Sequence, residues 1–119
     1  IMEAIYDQRL DQIKVAFSDQ SAVCVILASG GYPGNYQTGL PIAGLRADGQ
    51  LDSATVYHAG TKCDNGEFYT AGGRVLGVTT VGDTLETAIA SSYQAAEQIQ
   101  FEQMHLRKDI GARALQAKA

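Results

Sequence analysis

Few of the residues that build a self-contained catalytic site are present. Two cysteines, two histidines and nine lysine and arginine residues stand among 119 residues. Two cysteines permit at most one disulfide. Cys24 lies inside the run Ala22-Val23-Cys24-Val25-Ile26-Leu27 and reads as a small buried hydrophobe, whereas Cys63 falls in a polar turn. That usage fits a reduced, cytosolic setting. His58 stands near Thr61, Cys63, Asp64 and Glu67 at a spacing that matches no metal-ligand motif, so no metal site is expected. A Cys63–His58 nucleophilic pair lacks any visible orienting or oxyanion partner. No run approaches the roughly 18 apolar residues of a membrane helix, and no basic leader precedes a signal-type stretch. Secretion and membrane insertion are therefore not expected. A net charge of −4 gives no general nucleic-acid footprint. The nucleotide-binding glycine patterns Gly-x-x-x-x-Gly-Lys-Ser/Thr and Gly-x-Gly-x-x-Gly are also missing.

What remains is an ordinary folded composition, 45% hydrophobic and 18% charged, with the length of one domain. The chain opens on Ile1 and enters a helical pattern at once, as an excised segment would, and Ile1, Ile5, Leu10 and Ile13 suggest a short amphipathic helix of imperfect spacing. Ser21 to Ser29 reads as a buried strand that stops at the dense turn signal Gly30 to Asn35. Short strands are expected around Ile42, over residues 54–59 and over Glu67 to Thr70, with Lys62 to Gly66 turn-like between the last two. Gly73 to Val81 is rich in β-branched residues. Asp83 with Glu86 reads as a capping box that starts a helix running to about residue 100. Ala88, Ala90, Ala95 and Ala96 would allow that helix to approach a sheet closely. A terminal helical turn fits within residues 107–117. The fold class expected is α+β: a compact, mostly antiparallel or mixed sheet with a packed helix.

The scarce positive charge is placed unevenly. From His105 to Lys118 there are four basic residues and one acidic. Arg107 and Lys108 precede Asp109-Ile110-Gly111, and Arg74 follows the Gly72-Gly73 pair inside an apolar strand. Arginine offers a planar fork to phosphate or carboxylate, and lysine adds a point charge. Two plainer readings stand beside that one. Arg107 and Lys108 can form a helix-end surface cluster with Asp109 as a partner, and Arg74 can lay its stem over the core with its head in water. The Gly30 to Gly39 loop could offer backbone N–H groups to an anion, but it also reads as a plain turn. Tyr32, Tyr36 and Tyr93 read as packing or interface residues.

Ser29-Gly30-Gly31-Tyr32-Pro33-Gly34, Tyr57-His58-Ala59-Gly60-Thr61, Gly72-Gly73-Arg74-Val75-Leu76 and Arg107-Lys108-Asp109-Ile110-Gly111 occur in that order. Together they closely resemble the C-terminal domain of phosphoribosylamine–glycine ligase (glycinamide ribonucleotide synthetase), in the ATP-grasp family, over nearly the whole chain. Tyr57, Ala71 and Leu106 depart from the commoner residues, and none of these changes removes a basic group. The resemblance implies a linking helix over residues 1–18, the C-terminal domain over 19–115 and a tail over 116–119. It implies a cytoplasmic parent enzyme of de novo purine biosynthesis that joins glycine to 5-phosphoribosylamine, cleaving ATP to ADP and phosphate through glycyl phosphate. ATP and magnesium or manganese would be bound mainly outside this segment, which alone is expected to be inactive and to hold no catalytic or metal residue. Arg107 and Lys108 would contact the substrate phosphate. Arg74 would hold the same substrate or buttress an interface, Gly73 would give room, and His58 with Thr61 would shape the adjoining loop. Its partners would be the N-terminal and ATP-grasp domains of the same protein and the two small substrates, with no nucleic acid and no membrane. The competing readings are a stand-alone, non-enzymatic module for a small phosphorylated metabolite and a structural domain whose basic residues make interface salt bridges.

Overall fold

The structure is a computed structural model that describes residues 1–118. Its core grows from β1 (Ser21–Ala28), whose Val23, Val25 and Leu27 alternate onto one face and are buried. This strand pairs antiparallel with β6 (Arg74–Gly82), which pairs in turn with β3 (Thr55–His58), giving a three-stranded sheet in the order β1-β6-β3. Val25, Val78 and Val56 share one rung of that sheet. A second antiparallel sheet, ordered β2-β5-β4, joins β2 (Pro41–Ile42), β5 (Glu67–Thr70) and β4 (Thr61–Asp64). Helix α2 (Leu85–Ala96) lies across the buried face of β1 and β6, and α1 (Met2–Tyr6) and α3 (Ala112–Lys118) stand near the two ends. The α+β class is as expected.

Alanines let α2 lie close to the sheet: Ala88, Ala95 and Ala96 are buried, while Ala90 faces out. A buried polar set fixes the helix against slipping. Ser92 Oγ donates to the Val23 carbonyl at 2.9 Å and lies 2.7 Å from Thr80 Oγ1, which is also 2.8 Å from the Ala88 carbonyl. Such a satisfied network in an apolar layer specifies one register, because any shift would leave these groups unpaired. Ile99 and Phe101, both buried, close the core beyond the helix end.

The structure departs from the sequence reading at several places. The helix cap is Thr84, whose hydroxyl accepts from the Thr87 N–H at 3.1 Å; Asp83 lies one residue too early for that bond. Thr84→Ala is accordingly expected to cost about 1 kcal/mol in urea unfolding, with Asp83→Ala costing less. The helix ends at Ala96, short of residue 100. Residues 61–64 are the strand β4, paired with β5 across a turn in which Asn65 and Gly66 have φ 52° and 79°. The N-terminal helix ends at Tyr6, and Gln8 at φ 56° is followed by a single tight turn over Leu10–Gln12. The expected tail is continuous with α3 as far as Lys118, and Ala119 lies outside the described residues.

Cys24 is the most consequential departure. It is exposed, not buried. It stands on the open face of the first sheet with Ala22, Ile26, Tyr57 and Val81, and the last three are 39%, 60% and 56% exposed. An antiparallel sheet that meets water on one face normally alternates apolar with polar. Here β1 is apolar on both faces, yet α2 covers only one.

Candidate functional site

Arg74 and the start of the segment that carries Arg107 and Lys108 both pair with the end of β1. Arg74 opens β6 opposite Ala28, at an irregularity in the register between Leu27 and Ala28. On its other side Ala28 exchanges backbone hydrogen bonds with His105, at 2.8 and 2.9 Å. Arg74 and His105, two residues before Arg107, thus flank the same strand end, with their backbones about 10 Å apart across two strand spacings. Neither Arg74 nor Lys108 makes an ion pair among the described residues.

Residues 105–111 form a strap between that bridge and α3. Arg107 makes a fork–fork pair with Asp109: Nε donates to Oδ1 at 3.0 Å and Nη2 to Oδ2 at 2.8 Å. The hydrogen bonds from Arg107 hold the Asp109 carboxyl below the ordinary aspartate range, and the carboxylate raises the guanidinium in return. The pair therefore persists through neutral pH and is lost only as the pH falls through the lowered Asp109 value. Lys108 is exposed and borders a groove of about 580 Å³ that Tyr93, Glu97, Ile99, Met104 and Leu106 also line.

The loop before Arg74 is tightly built. Ser29 donates twice, its N–H to the Gly73 carbonyl and its hydroxyl to the Gly72 carbonyl, both at 2.7 Å, and its own carbonyl accepts from the Tyr32 N–H at 3.1 Å. The Tyr32 ring fills the side of Gly73 where a Cβ would come within 2.0 Å of it. Only glycine admits that ring. The room beside Gly73 is thus occupied by the protein's own aromatic side chain.

His58 and Thr61 stand together away from the strap. His58 Nε2 lies 2.8 Å from the Gly49 carbonyl and Nδ1 2.8 Å from Thr61 Oγ1. A carbonyl only accepts, so Nε2 carries the proton and Nδ1 receives the threonine hydroxyl. The imidazole ties the loop at Gly49 to the start of β4 and sits 5.2 Å from the Phe68 ring. His105 contributes its backbone to the bridge with Ala28. Among the described residues no three of His, Cys, Asp and Glu gather as a metal-binding group, and no helix is long and apolar enough to cross a membrane.

The sequence reading gave Tyr93 only a packing or interface role. Tyr93 on α2 reaches the strap, its hydroxyl donating to the Arg107 carbonyl at 2.6 Å and accepting from the Ile110 N–H at 3.2 Å.

Residues 22–113 match the family model described as phosphoribosylglycinamide synthetase, C domain. A phosphoribosylamine–glycine ligase of Synechocystis is 46% identical over 116 residues, which are 97% of this chain and 27% of that protein. A bifunctional purine biosynthetic protein of Dictyostelium discoideum is 43% identical over 97% of this chain and 14% of its own length. The crystal structure of a phosphoribosylamine–glycine ligase from Thermotoga maritima superposes with a TM-score of 0.66 at 36% identity, covering 75% of this chain and 21% of that one. The chain spans about 27% of the length of the Synechocystis relative.

Proposed function

The chain belongs to the phosphoribosylglycinamide synthetase C-domain family, and on that premise we propose that it is the part of a phosphoribosylamine–glycine ligase that closes the active site and grips the substrate phosphate. The parent reaction joins glycine to 5-phosphoribosylamine at the expense of ATP, and the compartment proposed is the cytoplasm. ATP and its magnesium or manganese are proposed to be bound mainly by other domains of the ligase, and no step is routed through them here. What this chain supplies is position. The phosphate is not the reacting group, so holding it directs the distant amine toward activated glycine and converts binding energy into orientation.

The observation that supports this reading is that Ala28 pairs with Arg74 on one side and, on the other, with His105 at the start of the strap that carries Arg107 and Lys108, on a chain whose positive charge is scarce. Arg107 and Lys108 take the phosphate, and Arg74 approaches from the other side of β1. Gly73 admits Tyr32 beside it, and His58 with Thr61 fixes the neighbouring loop. The open apolar face of the first sheet docks against the remaining domains of the ligase, which relatives nearly four times as long would supply.

Arg107→Ala in the intact ligase is expected to raise KM for phosphoribosylamine about 10- to 100-fold, the size of a lost charge-assisted pair, while KM for ATP holds. Steady-state titration of each substrate separately decides it. The Arg107–Asp109 pair favours a second reading, in which these charges serve only the fold. In that case Arg107→Ala would leave the phosphoribosylamine titration unmoved.

A further inference from the structure

The strap has no regular secondary structure between His105 and the start of α3 at Ala112. A backbone of that kind presents a side chain in one place only if outside contacts hold it. At its start the Ala28–His105 bridge ties it to β1. At its end Gly111, with φ +82°, presses against α2 so closely that a Cβ would fall 2.5 Å from Ile89 Cδ1. Between them the Tyr93 hydroxyl spans the basic pair, bonded to the Arg107 carbonyl on one side and the Ile110 N–H on the other.

Asp109 settles what the backbone leaves free. It occupies the Nε–Nη2 edge of the Arg107 guanidinium, and the Nη1–Nη2 edge remains able to grip an anion with two bonds. The two side chains are 70% and 60% exposed, so their pairing adds little to stability. Its effect is orientation: an arginine already held loses less freedom when the anion arrives.

We propose that Tyr93 and Asp109 are positioning residues that set Arg107 for the phosphate of the substrate, Tyr93 by fixing its backbone and Asp109 by fixing its guanidinium. This rests on the ligase reading above. The test compares three variants of the intact ligase. Tyr93→Phe removes only a hydroxyl, and Asp109→Asn keeps the shape while removing the charge. Each is expected to raise KM for phosphoribosylamine about fivefold, the size of one net hydrogen bond, with kcat and KM for ATP unchanged. A structural role would instead lower the unfolding midpoint and kcat without that split, which would overturn the proposal. If Asp109 competed with the phosphate, Asp109→Asn would lower the KM, and this too would overturn it. Arg107→Ala separates the two levels. A raised KM there with no change in Tyr93→Phe or Asp109→Asn defeats the positioning roles alone, whereas no change in Arg107→Ala defeats the phosphate reading itself.

Discussion

Gly44→Ala is expected to destabilise the chain by about 4 kcal/mol, close to the limit a domain of this size withstands. Gly44 has φ +99°, and a Cβ built there would lie 1.8 Å from the Gln98 carbonyl oxygen and 3.1 Å from Ile99 Cα. Both obstacles are backbone and neither can swing aside. The chains are also bolted together next door, where Ala43 and Gln100 exchange hydrogen bonds of 2.7 and 3.0 Å. Relief therefore requires breaking that bridge or displacing Ile99 and Phe101 from the core. Gly39→Ala is the matched control, with φ +79° and nothing within 4 Å of the added Cβ. It carries the backbone strain without the collision and is expected to cost about 1 kcal/mol. Urea unfolding of both variants checks the difference, and a thermal midpoint about 15 °C lower accompanies Gly44→Ala. Equal losses in the two would show that the collision relaxes.

The main strands, the turn at Asn65-Gly66 and the packed helix were legible because each carries a local signal, but the turn joins β5 to β4 and not to the strand over residues 54–59, which pairs with β6. Asn65-Gly66 supplies the positive φ values a tight hairpin needs, and Ala88, Ala95 and Ala96 mark the helix face that meets the sheet. Strand β4 was not legible. Lys62, Cys63 and Asp64 are all exposed, so no apolar period distinguishes them from a turn; their pairing is imposed by β5. The cap moved from Asp83 to Thr84 because both are good capping residues and only the approach of the chain to α2 chooses between them. At the site, residue types pointed to Arg107, Lys108 and Asp109, and the Arg107–Asp109 pair is local enough to anticipate. Tyr93 was hidden for the opposite reason. Its partner carbonyl is 14 residues away, and only the seating of α2 on the sheet brings the two together.

Cys24 was misplaced for an informative reason, and it leads to the second large effect. Ile26→Glu is expected to leave the isolated chain within about 1 kcal/mol of its original stability but to cut turnover of the intact ligase by two to three orders of magnitude. Ile26 is 39% exposed and shares its rung with Gly77 and Tyr57 on the open face. A glutamate there remains hydrated while the face is open. If other domains cover the face, the same carboxylate is buried without a partner, at a cost of about 3–5 kcal/mol, which corresponds to that loss of the docked, active arrangement. The reading of β1 as a buried strand fails on this face, because its apolar alternation holds on both sides while α2 covers only one. Ile26→Leu should be silent in both settings, because volume and polarity are kept. The measurement pairs urea unfolding of the chain with steady-state turnover of the ligase. Full turnover by the Ile26→Glu ligase would mean that this face stays in water and that the domains meet elsewhere.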